Sequence, residues 1–303
     1  MASITMFRRL AVLTAVFAYL QIALGGVVRV SGSGLGCPDW PLCHGRPYPP
    51  ANLHAIIEYS HRTVGSLTGV LIFATVILAW VVWRTRRPVV AWLATASLIG
   101  VVGEGVLGGV VVANELASWL VLVHLGLAMV ILGFLVAAAV MAMPPSSGVP
   151  DRRFRRLAAI ATGATFLLLL TGSTVVASVA DTACKSWPLC GGGFTPSFAG
   201  ADAFTMLHRG SVLVAGVFLI YVLILGSRLP GLAAPSIATL ALFVLQVAVG
   251  AGAAVTDGAL FNGLHIALAT LVWAGVLTTA LVTLPRADRD AQPSRMVVEE
   301  RPA

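Results

Sequence analysis

Apolar runs about 20 residues long, broken by short polar or basic stretches, make up nearly the whole chain. Eight can be told apart, at about 9–29, 62–83, 89–112, 118–141, 156–178, 207–227, 233–255 and 261–284. Each is long enough to cross roughly 30 Å of hydrocarbon at about 1.5 Å per residue. A backbone in lipid must satisfy its own N–H and C=O groups, and runs this long and continuous do so as helices rather than as barrel strands. The first run follows Arg8-Arg9 as a signal peptide would, but its length and its lead into a repeated pattern make it a membrane helix. The expectation is an all-α integral membrane protein with eight transmembrane helices.

The pattern occurs twice. Cys37-Pro-Asp-Trp-Pro-Leu-Cys43 returns as Cys184-Lys-Ser-Trp-Pro-Leu-Cys190, 147 residues later, and His61-Arg62 returns as His208-Arg209 at the same offset. Further on, Glu104 aligns with Gln246 at an offset of 142 and His124 with His265 at 141. Internal repetition of this kind decides architecture. Four helices precede a basic linker, Asp151 to Arg156, and four follow it. Four is even, so the copies face the same way: two tandem, parallel-oriented four-helix bundles related by an axis along the membrane normal. The expected divisions are residues 1–150, residues 151–286, and a short disordered tail at 287–303.

Composition agrees with the pattern: 58% of residues are hydrophobic and 10% charged. The net charge of +7 sets topology and not nucleic-acid binding. Of 19 Lys and Arg, 14 lie in the N-terminus, near 84–87, 152–156 and 228, and in the tail; Arg29, Arg46, Arg62, Lys185 and Arg209 lie on the other side. By the positive-inside rule both termini are cytoplasmic and the cysteine-bearing segments near 30–60 and 179–206 are outside. All four cysteines fall in those outer loops, where an oxidising compartment permits the pairs Cys37–Cys43 and Cys184–Cys190.

The candidate chemistry lies in the histidines. One histidine in a membrane helix is an ordinary hydrogen-bonding residue. Four at repeated positions, two per unit and at similar depth, suit the axial positions of haem iron, one haem between His61 and His124 and another between His208 and His265. Gly65 and Gly69, with Ala128 and Ala269, leave bare helix faces beside them, for close packing or for a flat macrocycle. Arg62 and Arg209 either pair with haem propionates or snorkel to the interface. The copies differ in their polar groups: Glu58 against Thr205, Arg29 against Val176, His44 against Gly191, Glu104 against Gln246. Glu58 precedes His61 by one turn, on the same helix face, where a carboxylate can move protons. The chemistry is therefore expected in the first half. Glu104, mid-helix, is a functional candidate or an acid bonded across helices. His44 and His54 are loop residues near the first site, and Glu115 belongs to a solvated turn. The cysteine pair of the second half reads as a structural bridge; for Cys37–Cys43 a redox role stays open.

The run Leu24-Gly-Gly-Val-Val-Arg-Val-Ser-Gly-Ser-Gly-Leu-Gly-Cys-Pro-Asp-Trp-Pro-Leu-Cys43, followed by Glu58-x-x-His61-Arg62, strongly resembles the bacterial haem A synthases. The resemblance spans all eight helices. It implies oxidation of the C8 methyl of haem O to the formyl of haem A by successive hydroxylations with water as oxygen source, a step in cytochrome oxidase assembly at the cell membrane. It implies haem b between His208 and His265 and the substrate haem between His61 and His124. It makes Glu58 the essential acid and Cys37/Cys43 the first-loop pair. A haem O synthase (protohaem farnesyltransferase) upstream, lipid around the helices, and a homo-oligomer are the partners it leaves open.

Two other classes use parts of the same residues. A di-haem b-type electron-transfer protein, or a haem transporter or chaperone without turnover, needs the histidines but gives no reason for Glu58 in one half only. A membrane thiol–disulfide oxidoreductase uses the cysteines and leaves the buried histidines idle.

Overall fold

The computed structural model describes residues 2–145, 151–178, 184–192, 194–256 and 258–285; the tail expected at 287–303 lies outside them. The helices are α1 (Ala2–Val30), α2 (Leu53–Trp83), α3 (Pro88–Ala113), α4 (Ser118–Ala142), α5 (Arg152–Ala177), α6 (Asp202–Ser227), α7 (Ala233–Thr256) and α8 (Ala259–Val282). All eight are long and apolar enough to span a membrane. Among the described residues the one β-type pairing is the isolated bridge between Cys43 and Arg46. The chain is an all-α, multi-pass membrane protein.

Helix starts differ most from expectation. The apolar run 62–83 begins only where lipid would begin, but α2 starts at Leu53, because Asn52 caps it by accepting from the N–H groups of His54 and Ala55. Glu58 and His61 thus lie inside the helix and not at its opening. Likewise α6 starts at Asp202, an acid in the first turn of the helix, where the dipole favours it. The linker from Asp151 to Arg156 is helical from Arg152 onward, with the Asp151 side chain accepting from Phe154 N–H at 2.7 Å.

Contacts between helices close two rings. In one, α1 and α3 each pack on α2 and α4; in the other, α5 and α7 each pack on α6 and α8. The rings meet where α8 lies against α1 and α4, and α5 against α4. Trp273 of α8 anchors this seam: its indole N–H donates to Met129 C=O at 3.1 Å, and its ring packs on Phe166. Away from the seam the surface is apolar, as lipid requires: Val81, Ile99 and Val214 are 71%, 71% and 75% exposed.

The two ends of the first ring differ. At one, Arg8 donates to Ala142 C=O (2.7 Å) and Arg87 to Met141 C=O (2.8 Å), satisfying carbonyls that the last turn of α4 cannot pair itself. At the other, the cysteine loop lies over the α3–α4 turn. The backbone at Gly34 is so close to Leu116 that a Cβ there would fall 2.6 Å from the leucine Cδ1, and Trp40 rests on Gly109.

Candidate functional site

Each helical hairpin builds one histidine seat. The second helix supplies the imidazole; the first supplies a glycine against the ring and a polar side chain beside it. A Cβ built on Gly25 of α1 would lie 3.1 Å from His61 Cε1, one on Gly108 of α3 3.4 Å from His124 Cε1, one on Gly172 of α5 3.1 Å from His208 Cε1, and one on Gly250 of α7 2.6 Å from His265 Cε1. A Cβ on Gly250 would force its ring aside, those on Gly25 and Gly172 would crowd theirs, and one on Gly108 would just touch His124.

The polar partners follow the same plan. The Gln21 amide nitrogen lies 3.3 Å from His61 Nε2, and the Gln246 amide nitrogen 3.3 Å from His265 Nε2. Thr171 Oγ1 lies 3.0 Å from His208 Nδ1. Glu104 Oε1 approaches His124 Nδ1 to 3.1 Å, in contact but not aligned as a hydrogen bond, so that the nitrogen has no hydrogen-bond partner. In three of the four seats the polar residue and the glycine are four apart on one helix face, Gln21 and Gly25, Glu104 and Gly108, Gln246 and Gly250. This spacing is visible in the sequence, and composition alone gave no reason to look for it.

The seats pair across each ring. His61 and His124 are within electrostatic reach of one another, as are His208 and His265. His61, His124 and His265 each keep a buried Nδ1 with no hydrogen-bond partner. Buried imidazole nitrogens are costly to leave bare unless a ligand takes them. Paired imidazoles on facing helices, each with a glycine clearing space at the ring, fit axial ligation of a haem iron in both rings. The bare faces expected on α2 divide: Gly65 is covered by the Gln21 amide, 2.9 Å from where its Cβ would be, while Gly69 meets nothing within 4 Å.

Above the first pair sits the cysteine loop. Cys37 and Cys43 form a disulfide and are fully buried, and Cys184 and Cys190 form the second. Glu58, 4% exposed, uses both carboxylate oxygens on this framework: Oε2 accepts from Cys37 N–H at 2.7 Å and Oε1 from Arg62 at 2.5 Å. The Arg62 guanidinium donates further to the carbonyls of Cys37, Asp39 and Leu42 at 2.6–2.7 Å. Arg209 does the equivalent work in the second half, donating to Ser186 C=O (2.7 Å) and Pro188 C=O (3.0 Å). Both arginines therefore fasten cysteine loops to the helices that carry His61 and His208. Of the other candidates, His44 Nε2 donates to Gly36 C=O at 3.0 Å, His54 Nδ1 meets Ser33 Oγ at 3.0 Å, and Glu115 is exposed in the α3–α4 turn.

Residues 8–56 and 51–281 match the cytochrome oxidase assembly protein family, COX15-CtaA. The chain belongs to that family. Its relatives include the "Heme A synthase" of Alkalihalophilus pseudofirmus, 30% identical over 225 residues that cover 71% of this chain and 73% of the relative. The "Heme A synthase" of Halalkalibacterium halodurans is 26% identical over 290 residues, 90% of this chain and 95% of its own. That of Shouchella clausii is 27% identical over 228 residues, covering 72% and 75%. The match to the cytochrome oxidase assembly family runs through both cysteine loops and all four histidine seats.

Proposed function

We propose that this chain is a haem A synthase, oxidising the C8 methyl of haem O to the formyl of haem A. The observation that carries the reading is the duplicated histidine seat with an acid in one copy only. His61 and His124 hold the substrate haem in the first four-helix unit, residues 1–150, and His208 and His265 hold a resident haem b in the second, residues 151–286. A di-haem electron carrier would use the same seats, but Glu58 against Thr205 gives the first unit a buried carboxylate one turn from its ligand that the second lacks.

Conversion of methyl to hydroxymethyl with water releases two protons and two electrons, and conversion of hydroxymethyl to formyl releases two more of each. Glu58 is the proton-accepting group. Arg62 and Cys37 N–H hold its carboxylate in place, one donor on each oxygen. The neighbouring Cys37–Cys43 bridge is a two-electron group: each oxidation step balances against its reduction to two thiols, and an external two-electron oxidant of the disulfide or quinone class must re-form the bridge between the steps. His61 and His124 orient the macrocycle, and the apolar walls of α1–α4 keep bulk water from the reacting edge.

The arginine-rich end, with Arg8, Arg84, Arg86 and Arg87, faces the cytoplasm and the cysteine loops face outward. A haem O synthase in the same membrane supplies the substrate. The test is co-expression with such a synthase in a host that makes no haem A, followed by chromatography of extracted haems. Haem A or its hydroxymethyl precursor is expected; unchanged haem O contradicts the reading.

A further inference from the structure

A cleft of about 740 Å³ opens on the outer end of the first ring, between the cysteine loop and the start of α2. Its walls include Gly32, Gly36, His44, Arg46, Asn52 and His54, and no acid lines it. Asp39, in the same loop, is turned to the backbone, accepting from the N–H groups of His44 and Gly45. The cleft carries one permanent cation, two imidazoles and the positive end of a 31-residue helix.

Its position is set by the helices below. His54 precedes His61 by seven residues of α2, two turns or about 10 Å on nearly the same face, and Gly32 lies in the turn just past the end of α1 at Val30. The cleft therefore lies about two turns beyond His61, at the ends of α1 and α2. Its cationic groups belong to the first half alone. At the offset of 147 that relates the two cysteine loops, His44 becomes Gly191, Arg46 becomes Gly193 and His54 becomes Ala201. The arginines that both halves share, Arg62 and Arg209, are already committed to loop carbonyls.

We propose that this cleft takes the propionate carboxylates of the substrate porphyrin, with Arg46 as the ion-pairing group and His54 as an N–H donor. The inference rests on the reading that the first half binds the substrate haem. It gives that half a means of seating a porphyrin by its acid edge, so that the opposite edges extend down toward the apolar walls. In the second half the corresponding positions, Gly191, Gly193 and Ala201, offer no such groups.

The test uses the purified full-length protein, haem O as the free acid, and haem O with both propionates esterified, each titrated by the Soret band. Arg46→Gln and the double variant Arg46→Gln/His54→Gln change exposed side chains. Loss of a charge-assisted contact is expected to weaken the free acid by roughly tenfold or more in the double variant. The esterified haem should bind the variants and the unaltered protein alike. Equal free-acid affinity in all three proteins overturns the proposal, and so does a matching loss for the ester, which signals general damage to the loop. Inorganic phosphate separates a free anion from a propionate. If phosphate stabilises the haem O-loaded protein through Arg46 without weakening haem O, the cleft serves a free anion and the proposal fails. Failure of the unaltered protein to bind haem O at all removes the underlying functional reading as well.

Discussion

Glu104 Oε1 lies 3.1 Å from His124 Nδ1, while at the corresponding seat of the second half Gln246 Nε2 lies 3.3 Å from His265 Nε2. The two halves thus set a polar side chain against the corresponding imidazole, an acid at Nδ1 in the first and an amide at Nε2 in the second. Outer partners of this kind fix the tautomer and orientation of a ligating imidazole. Glu104→Leu should lower retention of haem in the first half by roughly tenfold or more. Glu104→Gln, the choice of the second half, should keep most of it. Haem per chain after purification checks this; equal loss in both variants would show that the charge, and not the hydrogen-bonding group, is required.

Glycine contacts make a steric prediction. A Cβ on Gly250 would meet His265 Cε1 at 2.6 Å, whereas one on Gly69 meets nothing within 4 Å. Gly250→Ala should displace the ring, costing about 1–3 kcal/mol through overpacking and reducing the haem content of the second half. Gly69→Ala should leave haem content unchanged and raise thermal stability slightly, since alanine is the better helix former by about 1 kcal/mol. Pyridine haemochrome content and melting temperature of the two variants give the comparison.

Arg62 and Arg209 tie their cysteine loops down, so their removal should act on the disulfides first. Arg62→Met should speed reduction of Cys37–Cys43 by an external thiol by roughly tenfold, with little change at Cys184–Cys190; Arg209→Met should do the reverse. Alkylation followed by mass analysis reads each bridge separately. If neither variant changes its own loop's reduction rate, the arginines are not what holds the loops.

Asp39 adds a pH dependence to the first cysteine loop. The Gly45 N–H, helped by that of His44, holds its carboxyl below the usual value of 3.8. The folded value is the lower one, so the loop stabilisation is fully present above the unfolded value and is lost as pH falls through the folded one. Reduction of Cys37–Cys43 by a water-soluble phosphine should therefore accelerate as the pH falls below 3.8. Asp39→Asn should flatten that profile.

Much of this was legible in the chain. Lipid imposes length and hydrophobicity so strictly that eight helices could be read from apolar runs, and the offset of 147 exposed the repeat and its histidines. Helix starts were not legible, because α2 and α6 extend past the apolar boundary on caps and polar turns that hydropathy does not register. The partners of the histidines were also missed. Gln21, Thr171 and the seat glycines lie on a different helix from the ring they serve, and only packing shows which faces meet. The contacts of the two arginines were hidden for a similar reason: their acceptors are loop carbonyls, which carry no mark in the sequence.

The division of labour between halves is tested most directly by Glu58→Gln, co-expressed with a haem O synthase and analysed for extracted haems. Glutamine keeps the size of Glu58 and an oxygen that can accept from Cys37 N–H, but it cannot accept a proton. The account predicts a protein that still contains haem b and bound haem O, keeps the Cys37–Cys43 bridge intact, and makes no haem A. Haem A at the unaltered level would contradict it.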